Sequence, residues 1–278
     1  MSRGLQLLIC ALVSALAFIA AHADECRFTA NRSGHISVAG VTRVEIRAGA
    51  GDLKVTGKRG AGEVSAGGRA CASTQAILDQ VQLRVTRDGD VIHVDVQMPD
   101  LSTPKMSDAY AALDLTVDLP DNLPLVAFDS SGDARFERVA SADITDTSGD
   151  LTIEDVAGDL KVRDSSGDLE VERVAGNLQL EDSSGDIEVE SVHGDVIVAA
   201  DSSGSMTLHQ VGKNVHIVQD SSGDIDIVDV KGNVTIDSDS SGTVDVRQVG
   251  GNFTLANKGS GDIKTADIHG TISLPPGR

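Results

Sequence analysis

Between Asp129 and Arg278, apolar and polar residues alternate in short runs that are separated by small polar turns. Two apolar residues at alternate positions follow each Ser-Ser-Gly turn, and two more follow a second turn half a repeat later. Alternation with period two is typical of β-strands with one buried face, and most of these residues are β-branched. Each repeat is therefore predicted to form two short strands with about five inward apolar side chains, counting the valine before the second turn. The first strands carry Leu169 and Val171, Ile187 and Val189, Met206 and Leu208, Ile225 and Ile227, and Val244 and Val246; the second carry Leu178 and Leu180, Val196 and Val198, Val215 and Ile217, Val234 and Ile236, and Phe253 and Leu255.

The glycines of the first turn recur at intervals of 17, 18, 18, 19, 19, 19 and 19 residues. A fixed period of this length is typical of a stacked array, because a single two-strand unit cannot bury its own apolar face. We therefore predict an all-β fold, a parallel β-solenoid (β-helix) of about eight coils of 18–19 residues. With equivalent strands about 4.8 Å apart, the rod would be about 38 Å long. The glycines are Gly132, Gly149, Gly167, Gly185, Gly204, Gly223, Gly242 and Gly261.

The turns consist of residues that favour tight corners. Glycine accepts a positive φ without a steric penalty, and aspartate, asparagine and, more weakly, serine hydrogen-bond to nearby backbone. Because coils stack, these residues should form ladders along the rod, and the first turn should contribute a ladder of aspartates. Its members are Asp129, Asp146, Asp164, Asp182, Asp201, Asp220 and Asp239.

Residues 24–128 are less regular than the repeat region, residues 129–278. We predict that they form an irregular β-structured cap on the same solenoid; a separate small β domain is the alternative. Strands are predicted at 41–47, 80–86, 91–97 and 113–119, a short helix at 73–80 and a loop at 98–107. Gly51-Asp-Leu-Lys-Val is a degenerate copy of the later Ser-Ser-Gly-Asp-Leu-x-Val.

Residues 1–23 have the pattern of a cleaved signal peptide. Arg3 precedes the apolar stretch from Leu5 to Ala21, and Ala21-His-Ala is a small-x-small cleavage site, so Asp24 is the predicted mature start. A membrane anchor is less favoured, because the apolar run is short and no other run could span a bilayer. Cys26 does not follow a lipoprotein motif. The chain is therefore predicted to be periplasmic or secreted.

The mature chain would carry two cysteines, Cys26 and Cys71. An even pair in an exported protein favours a disulfide, which would contribute about 3–4 kcal/mol by loop entropy; two free thiols are the alternative. Neither residue belongs to a Cys-x-x-Cys motif, so redox catalysis has no support.

Charge is distributed unevenly along the chain. Residues 24–128 hold 14 acidic and 11 basic residues, whereas residues 129–278 hold 29 acidic and 11 basic ones. Nucleic acid is disfavoured as a partner, because phosphate neutralisation requires a basic surface. The simplest interpretation of the acidic excess is a solvated rod that stays soluble and does not stack end to end.

Several motifs together resemble the bacterial putative-adhesin family of β-strand-repeat proteins, a domain of unknown function. They are Val44-Glu-Ile, Gly51-Asp-Leu-Lys-Val, Leu115-Thr-Val-Asp-Leu-Pro and the repeated Ser-Ser-Gly-Asp-Ile/Leu with Val-x-Gly-Asn/Asp. The resemblance covers most of the mature chain, from Val41 to Leu274. It implies a β-solenoid located at or outside the cell envelope.

The sequence does not favour catalysis. Basic residues in the repeats are scattered over different positions rather than clustered on one face, as polysaccharide lyases require, and no Gly-x-Ser-x-Gly elbow occurs. Gly57-Lys-Arg-Gly-Ala-Gly lacks the spacing and the helix of a phosphate-binding loop. Aromatic residues, on which sugars stack, make up 2% of the chain. We expect no catalytic residue and no resident cofactor.

Metal binding is a weaker expectation that depends on the aspartate ladder. Stacked carboxylates about 5 Å apart repel each other by about 0.8 kcal/mol in water, and calcium could relieve this repulsion. Serine hydroxyls and backbone amides could do so instead, and the calcium-binding nonapeptide is absent. The weak candidates for calcium ligands are Asp182, Asp201 and Asp220. The histidines form no cluster in the predicted coils.

The sequence therefore predicts a non-enzymatic, exported β-solenoid that acts as a structural or adhesin-like interaction module of the envelope, with an unknown protein or cell-surface partner. An acidic binder of cations or cationic peptides, in envelope-stress sensing, is the alternative. A carbohydrate-active enzyme is the weakest of the three.

Overall fold

A computed structural model describes residues 26–102 and 109–276. The predicted signal peptide and Asp24 lie outside the described residues, as does part of the predicted loop at 98–107. The amino-terminal elements are β1 (Phe28–Ser37), β2 (Arg43–Arg47), β3 (Leu53–Lys58), β4 (Glu63–Ala72), α1 (Gln75–Leu78), β5 (Gln82–Asp88), β6 (Val91–Gln97), β7 (Ala111–Pro120) and β8 (Leu125–Phe128).

The repeat region forms eight coils of two strands each, because apolar alternation resumes after every turn. The strands are β9 (Ala134–Glu137), β10 (Ala142–Thr145), β11 (Leu151–Val156), β12 (Leu160–Arg163), β13 (Leu169–Val174), β14 (Leu178–Glu181), β15 (Ile187–Val192), β16 (Val196–Ala200), β17 (Met206–Val211), β18 (Val215–Ile217), β19 (Ile225–Val230), β20 (Val234–Ser241), β21 (Val244–Val249), β22 (Phe253–Ser260), β23 (Ile263–Ile268) and β24 (Ile272–Ser273).

The strands make two twelve-stranded sheets that face each other across one core. The first sheet has the order β1-β4-β7-β3-β9-β11-β13-β15-β17-β19-β21-β23, and the second has the order β24-β22-β20-β18-β16-β14-β12-β10-β8-β2-β6-β5. Equivalent strands of successive coils pair in parallel; Val171 of β13, for example, lies beside Val189 of β15. The register is continuous except where β14 pairs with β16, which shifts by one residue between Leu180 and Glu181. The predicted parallel β-solenoid of about eight coils is confirmed.

Each coil buries the predicted set of apolar side chains. In one coil Leu169, Val171, Val174, Leu178 and Leu180 are all at most 1% exposed. The valine before the second turn faces inward because the residue before it, Arg173 in this coil, adopts a left-handed conformation (φ 58°). That kink shifts the strand's alternation by one position. Equivalent residues with φ between 56° and 63° occur in every coil: Arg138, Asp155, Arg173, Ser191, Gln210, Asp229, Gln248 and Asp267.

Glycine is required at the first turn for two reasons. Gly185 has φ 133°. A Cβ built on it would lie 1.8 Å from the carbonyl oxygen of Gly167 in the coil below. The degenerate repeat obeys the same geometry, because a Cβ on Gly132 would lie 2.4 Å from the carbonyl oxygen of Gly51. The segment with β2 and β3 is therefore a true coil beneath β8 and β9.

The amino-terminal end departs from chain order. β6 and β7 lie outside β2 and β3 in the stack. Beyond them three antiparallel pairs follow: β5 pairs with β6, β4 pairs with β7, and β1 pairs with β4. The predicted helix at 73–80 is observed as α1, capped by Thr74, whose Oγ1 accepts a hydrogen bond from the Ile77 amide at 3.2 Å. Cys26 and Cys71 are joined in a disulfide (S–S 2.07 Å) that ties the start of the described chain to β4.

Candidate functional site

The aspartates of the first turn point into the rod. The aspartate file, defined as Asp129, Asp146, Asp164, Asp182, Asp201, Asp220 and Asp239, runs along one inner corner, and its members are only 1–4% exposed. Direct backbone pairing brings Asp201 beside Asp220 and Asp220 beside Asp239. The prediction that these carboxylates repel one another in water is wrong, because the file is shielded from solvent. The direction of a turn residue depends on how the coil closes, which strand alternation does not specify.

Different residues close the two ends of the file. At the carboxyl-terminal end Lys258 takes the position of the next aspartate, in register with Asp239. Its side chain is fully enclosed, and Nζ lies 2.6 Å from Asp239 Oδ2. The same ammonium donates hydrogen bonds to the carbonyl oxygens of Gly242 and Ser260, each at 2.6 Å. At the other end the register places Ala48 beneath Asp129, because Arg47 pairs with Phe128.

Backbone amides satisfy only part of the file. Oδ1 of Asp164 accepts a hydrogen bond from the Ser165 amide at 2.7 Å, as Oδ1 of Asp146 does from the Thr147 amide. Within the described residues, no hydrogen bond of good geometry reaches either oxygen of Asp129, Asp182 and Asp220, or Oδ2 of Asp146, Asp164 and Asp201. Buried polar atoms are rarely left without partners, so this row requires an explanation.

Burial changes the acidity of the file. It raises the pKa of Asp182 from 3.8 to about 7, and the neighbouring Asp164 and Asp201 raise it further. Burial likewise raises the pKa of Asp129 and of Asp220 to about 7, and that of Asp164 to about 6. The physical cause is the same throughout: low dielectric and like neighbours disfavour the charged form.

The second turn stacks its polar residues differently. In this amide column, Oδ1 of each residue accepts a hydrogen bond from a backbone amide of the next coil; the Asn214 amide, for example, donates to Asp195 Oδ1 at 3.1 Å. The members of the amide column are Asp159, Asn177, Asp195, Asn214, Asn233 and Asn252. The side-chain amides donate along the column as well; Asn214 Nδ2 lies 2.9 Å from Asp195 Oδ1. Asn177 and Asn214 are exposed, so water also reaches this column.

The serine hydroxyls of the first turn serve the backbone rather than the file. Ser166 Oγ donates to the carbonyl oxygen of Thr147 at 3.1 Å, and Ser222 Oγ donates to that of Ser202 at the same distance. The same contact recurs at Ser148, Ser184, Ser203 and Ser241. These serines therefore link coils, as expected for turn formers, and do not neutralise the aspartates.

The outer face of the first sheet carries a cluster of five glutamates. Parallel register places Glu170 beside Glu188 and Glu172 beside Glu190, with Glu154 beside Glu172. Arg173 binds Glu154 and Glu172, whereas Glu170, Glu188 and Glu190 make no ion pair within the described residues. Burial, with Glu172, Glu188 and Glu154 nearby, raises the pKa of Glu170. Three of the five members, Glu170, Glu188 and Glu190, therefore leave negative charge without an ion-pair partner on adjacent outer strands of the described chain.

Shallow clefts follow the corner formed by the left-handed residues. The largest, about 440 Å³, lie between Lys58, Arg138 and Asp155 near one end of the rod and between Lys231, Asp267 and His269 near the other. Their walls mix acidic and basic side chains. His193 and His269 border two different clefts, which share Asp229 and Lys231 in their walls.

The sequence profile of the family described as Toastrack DUF4097 matches residues 29–216 and, in a second alignment, residues 158–274. The chain belongs to the Toastrack DUF4097 family. Its repeats account for the overlapping alignments, since coils 18–19 residues apart can be matched in more than one register. The family predicted from the motifs is thereby confirmed. No curated protein matches the chain.

Solved structures similar to this Toastrack chain are distant in sequence. A putative adhesin from Parabacteroides distasonis is 14% identical, with 88% of this chain and 97% of that chain covered and a TM-score of 0.34. A putative lipid binding protein from the same organism is 13% identical, with 87% and 96% covered and a TM-score of 0.41. A putative adhesin from Bacteroides fragilis is 15% identical, with 88% and 97% covered and a TM-score of 0.36.

Asp182, Asp201 and Asp220, the candidate calcium ligands, lie consecutively in the aspartate file. Residues 26–102 and 109–276 contain no group of three or more His, Cys, Asp or Glu side chains arranged to hold a metal ion. The same ranges contain no helix long and apolar enough to cross a membrane. Sequence reasoning missed Lys258, although its signal was present: it replaces aspartate at the eighth first turn.

Proposed function

We propose that this Toastrack chain is an exported envelope protein that acts as a non-enzymatic, adhesin-like interaction module. The observation that carries the proposal is that each coil uses different residues for contacts between coils, for the core and for the outer surface. Turn serines, aspartates and asparagines bind the adjacent coils, and the apolar positions fill the core. The outer strand positions are left to vary freely: Thr152, Glu170, Glu188 and Thr207 occupy one row. A rigid rod with a variable lateral surface suits binding rather than catalysis.

The serine and histidine contacts of the described chain also favour a binding role over a catalytic one. The repeated serines donate their hydroxyl hydrogens to backbone carbonyls, so they are not held beside a general base. His216, the histidine with the shortest acidic contact, lies 2.8 Å from Asp237 on the exposed face of the second sheet. A histidine and an aspartate without a positioned nucleophile do not make a catalytic triad.

The glutamate cluster favours a cationic partner as the second candidate function. Glu170, Glu188 and Glu190 project from adjacent strands without basic partners in the described chain, and a field of one sign speeds the approach of opposite charge. In this form of the proposal the rod binds a basic peptide or a basic protein surface along the first sheet. The contact would be weakened by salt, which screens charge over about 8 Å at physiological ionic strength.

A binding experiment with a lysine-rich peptide tests the cationic partner. Glu170→Gln, Glu188→Gln and Glu190→Gln together should weaken binding at low salt by about tenfold or more. The matched control, Glu63→Gln with Glu181→Gln and Asp262→Asn, removes three exposed charges elsewhere and should have a smaller effect. Equal losses in the two triple variants would show that only net charge matters and would remove the second candidate.

Export is tested separately from binding. In a bacterial host, the full chain should be recovered in the periplasm or the medium, and amino-terminal sequencing should begin at Asp24. Retention in the cytoplasm with Met1 intact would contradict the proposed envelope role, whatever the result with the peptide.

A further inference from the structure

The aspartate file buries more carboxyl oxygens than the surrounding backbone amides serve with hydrogen bonds of good geometry. Between Asp129 and Asp220 six carboxyl groups stack inside the rod, and most of their oxygens accept no hydrogen bond of good geometry from the described chain. A row of ionised carboxylates at strand spacing, shielded from water, would combine desolvation with mutual repulsion. Something must therefore supply positive charge or hydrogen to the file.

The amide column shows what stacked side chains of this kind need. There the spacing is the same, and Asn177 Nδ2 donates to Asp159 Oδ1 at 3.0 Å while Asn233 Nδ2 donates to Asn214 Oδ1 at 3.2 Å. Side-chain donors thus reach acceptors one coil away. A protonated carboxyl is nearly isosteric with a carboxamide and has one O–H to donate. Protons can therefore do in the buried file what asparagine amides do in the exposed column.

Lys258 gives independent evidence that the file requires a positive group. The chain itself places an ammonium at the next position of the row, with no exposed side-chain surface and with Asp239 as its acidic partner. The other charged groups that face the file are acidic: Asp52 near Asp129, Asp150 near Asp164 and Asp186 near Asp201. No other basic group is available to the file within the described residues.

We propose that the aspartate file binds protons, shared as carboxyl-to-carboxylate hydrogen bonds from Asp129 to Asp220 and closed at Asp239 by Lys258. The folded rod thereby binds protons, and the file's contribution to the free energy of unfolding increases as the pH falls. Divalent metal is the less suitable ligand, because a single file offers a cation the carboxylates of two neighbouring coils, whereas calcium takes six to eight oxygens. Among the described residues of the row, no three carboxylates converge on one point in an arrangement that could hold a metal ion.

The direction of the pH effect follows from the acidity of the file. The pKa of Asp182 and Asp220 lies near 7 in the folded chain against 3.8 for the free side chain, so the folded state binds more protons between these values. The file's contribution to stability is therefore fully present below about pH 4 and is lost as the pH rises towards 7. Carboxyls such as Glu137, whose pKa the Arg135 hydrogen bond lowers to about 2, act in the opposite direction. A matched variant is needed to separate the two effects.

Infrared spectroscopy of the full chain in chelator-treated buffer tests the proposal directly. The carbonyl band of protonated carboxyl groups should persist at about pH 6, where exposed carboxyls are ionised, and disappear as the pH passes about 7. Asp182→Asn should reduce the band, whereas Asp168→Asn, at an exposed position in the same coil, should leave it unchanged. Absence of the band at about pH 6, or equal loss in both variants, would overturn the proposal.

Thermal melts supply a second readout. Asp182→Asn replaces a titrating group by a permanent donor, so at about pH 8 it should raise Tm by about 2–4 °C, and at about pH 4 the gain should vanish. Asp168→Asn should show no such change of effect with pH. A loss of Tm for Asp182→Asn that is equal at both pH values would mean that the file is a fixed set of charges, which contradicts proton sharing.

Calcium titration separates protons from metal. If calcium raises the Tm of the chelator-treated wild type and Asp182→Asn abolishes that response, the file holds metal and the proposal is wrong. If calcium has no effect, or if its effect survives in Asp182→Asn, any calcium binds elsewhere on the acidic surface and the assignment of protons to the file is supported.

Discussion

The two turns of each coil stack side chains at the same spacing with opposite chemistry. The amide column is exposed and mixes Asn with Asp, so Asn214 Nδ2 can donate to Asp195 and water can reach both. The aspartate file is buried and contains only acids until Lys258 closes it. At the same spacing, therefore, burial raises the pKa of Asp182, whereas hydrogen bonds from Asn214 lower the pKa of Asp195.

A consequence concerns the acidic charge of the repeats. Residues 129–278 carry 29 acidic side chains, but the seven in the file face inward and are not available for contact with a partner. The outward acidity lies on the strand faces, above all in the glutamate cluster, and in turn residues such as Asp168 that accept backbone amides of the next coil. Any cationic partner would therefore meet the sheet faces and not the inner corner.

The largest loss of stability is expected when a single acid is placed in the apolar core, away from the turn amides and carboxyls of the file. Val189→Asp buries one carboxyl between Val171 and Leu208, where neither a turn amide nor a stacked carboxyl can serve it. We expect a loss of more than about 4 kcal/mol in the free energy of unfolding, enough to disorder several coils. Urea melts followed by circular dichroism measure the loss.

The control for that substitution is its neighbour. Glu188 is exposed on the same strand, so Glu188→Lys should change the free energy of unfolding by no more than about 0.5 kcal/mol. If the two variants unfold at the same urea concentration, the inward and outward assignments along β15 are wrong.

Removing the ammonium group at the carboxyl-terminal end of the file should cause the next largest loss in the free energy of unfolding. Lys258→Met removes the enclosed ammonium and leaves Asp239 without its partner, which should cost about 3–5 kcal/mol at neutral pH. Equilibrium unfolding in urea at neutral pH measures the loss.

An exposed lysine is the matched control for Lys258. Lys231 Nζ lies 2.6 Å from Asp229 Oδ1, but its side chain is 68% exposed, so Lys231→Met should cost no more than about 1 kcal/mol. A loss at Lys258 as small as that at Lys231 would mean that the file does not need its terminal cation.

The periodic part of the fold could be predicted from the sequence because alternation and turn chemistry are local. Val189 and Glu188 face as predicted, and Gly51 marks a real coil. Chain order at the amino terminus could not be predicted, since β6 and β7 reach the outside of β2 and β3 through contacts distant in sequence. The left-handed conformation at Arg173 could not be predicted either, because the residue there is not glycine. The inward direction of Asp182 depends on coil closure, which no pattern of alternation encodes.

Replacing an asparagine of the amide column by aspartate, which makes the column more like the aspartate file, should lower the free energy of unfolding moderately. Asn214→Asp keeps the Oδ1 acceptor for the Asn233 amide but removes the Nδ2 donor to Asp195, leaving two stacked acids. We expect a loss of about 0.5–1.5 kcal/mol at neutral pH, limited by exposure to water and reduced by salt. Urea melts at low and high salt measure it. A loss comparable to that of Lys258→Met would show that burial is not the distinguishing factor.

The smallest expected effect concerns the serine contacts, which belong to the first turn but not to the file. Ser222→Ala removes the hydroxyl that donates to the Ser202 carbonyl oxygen at 3.1 Å, an exposed hydrogen bond between neutral groups. It should cost about 0.5–1 kcal/mol, equally at acidic and neutral pH, because neither partner titrates. Ser202→Ala, at an exposed turn position, is the control and should cost less. If the loss at Ser222 grows with pH as that of the file does, the hydroxyl stabilises the aspartates after all, and the first turn is one coupled network rather than two independent ladders.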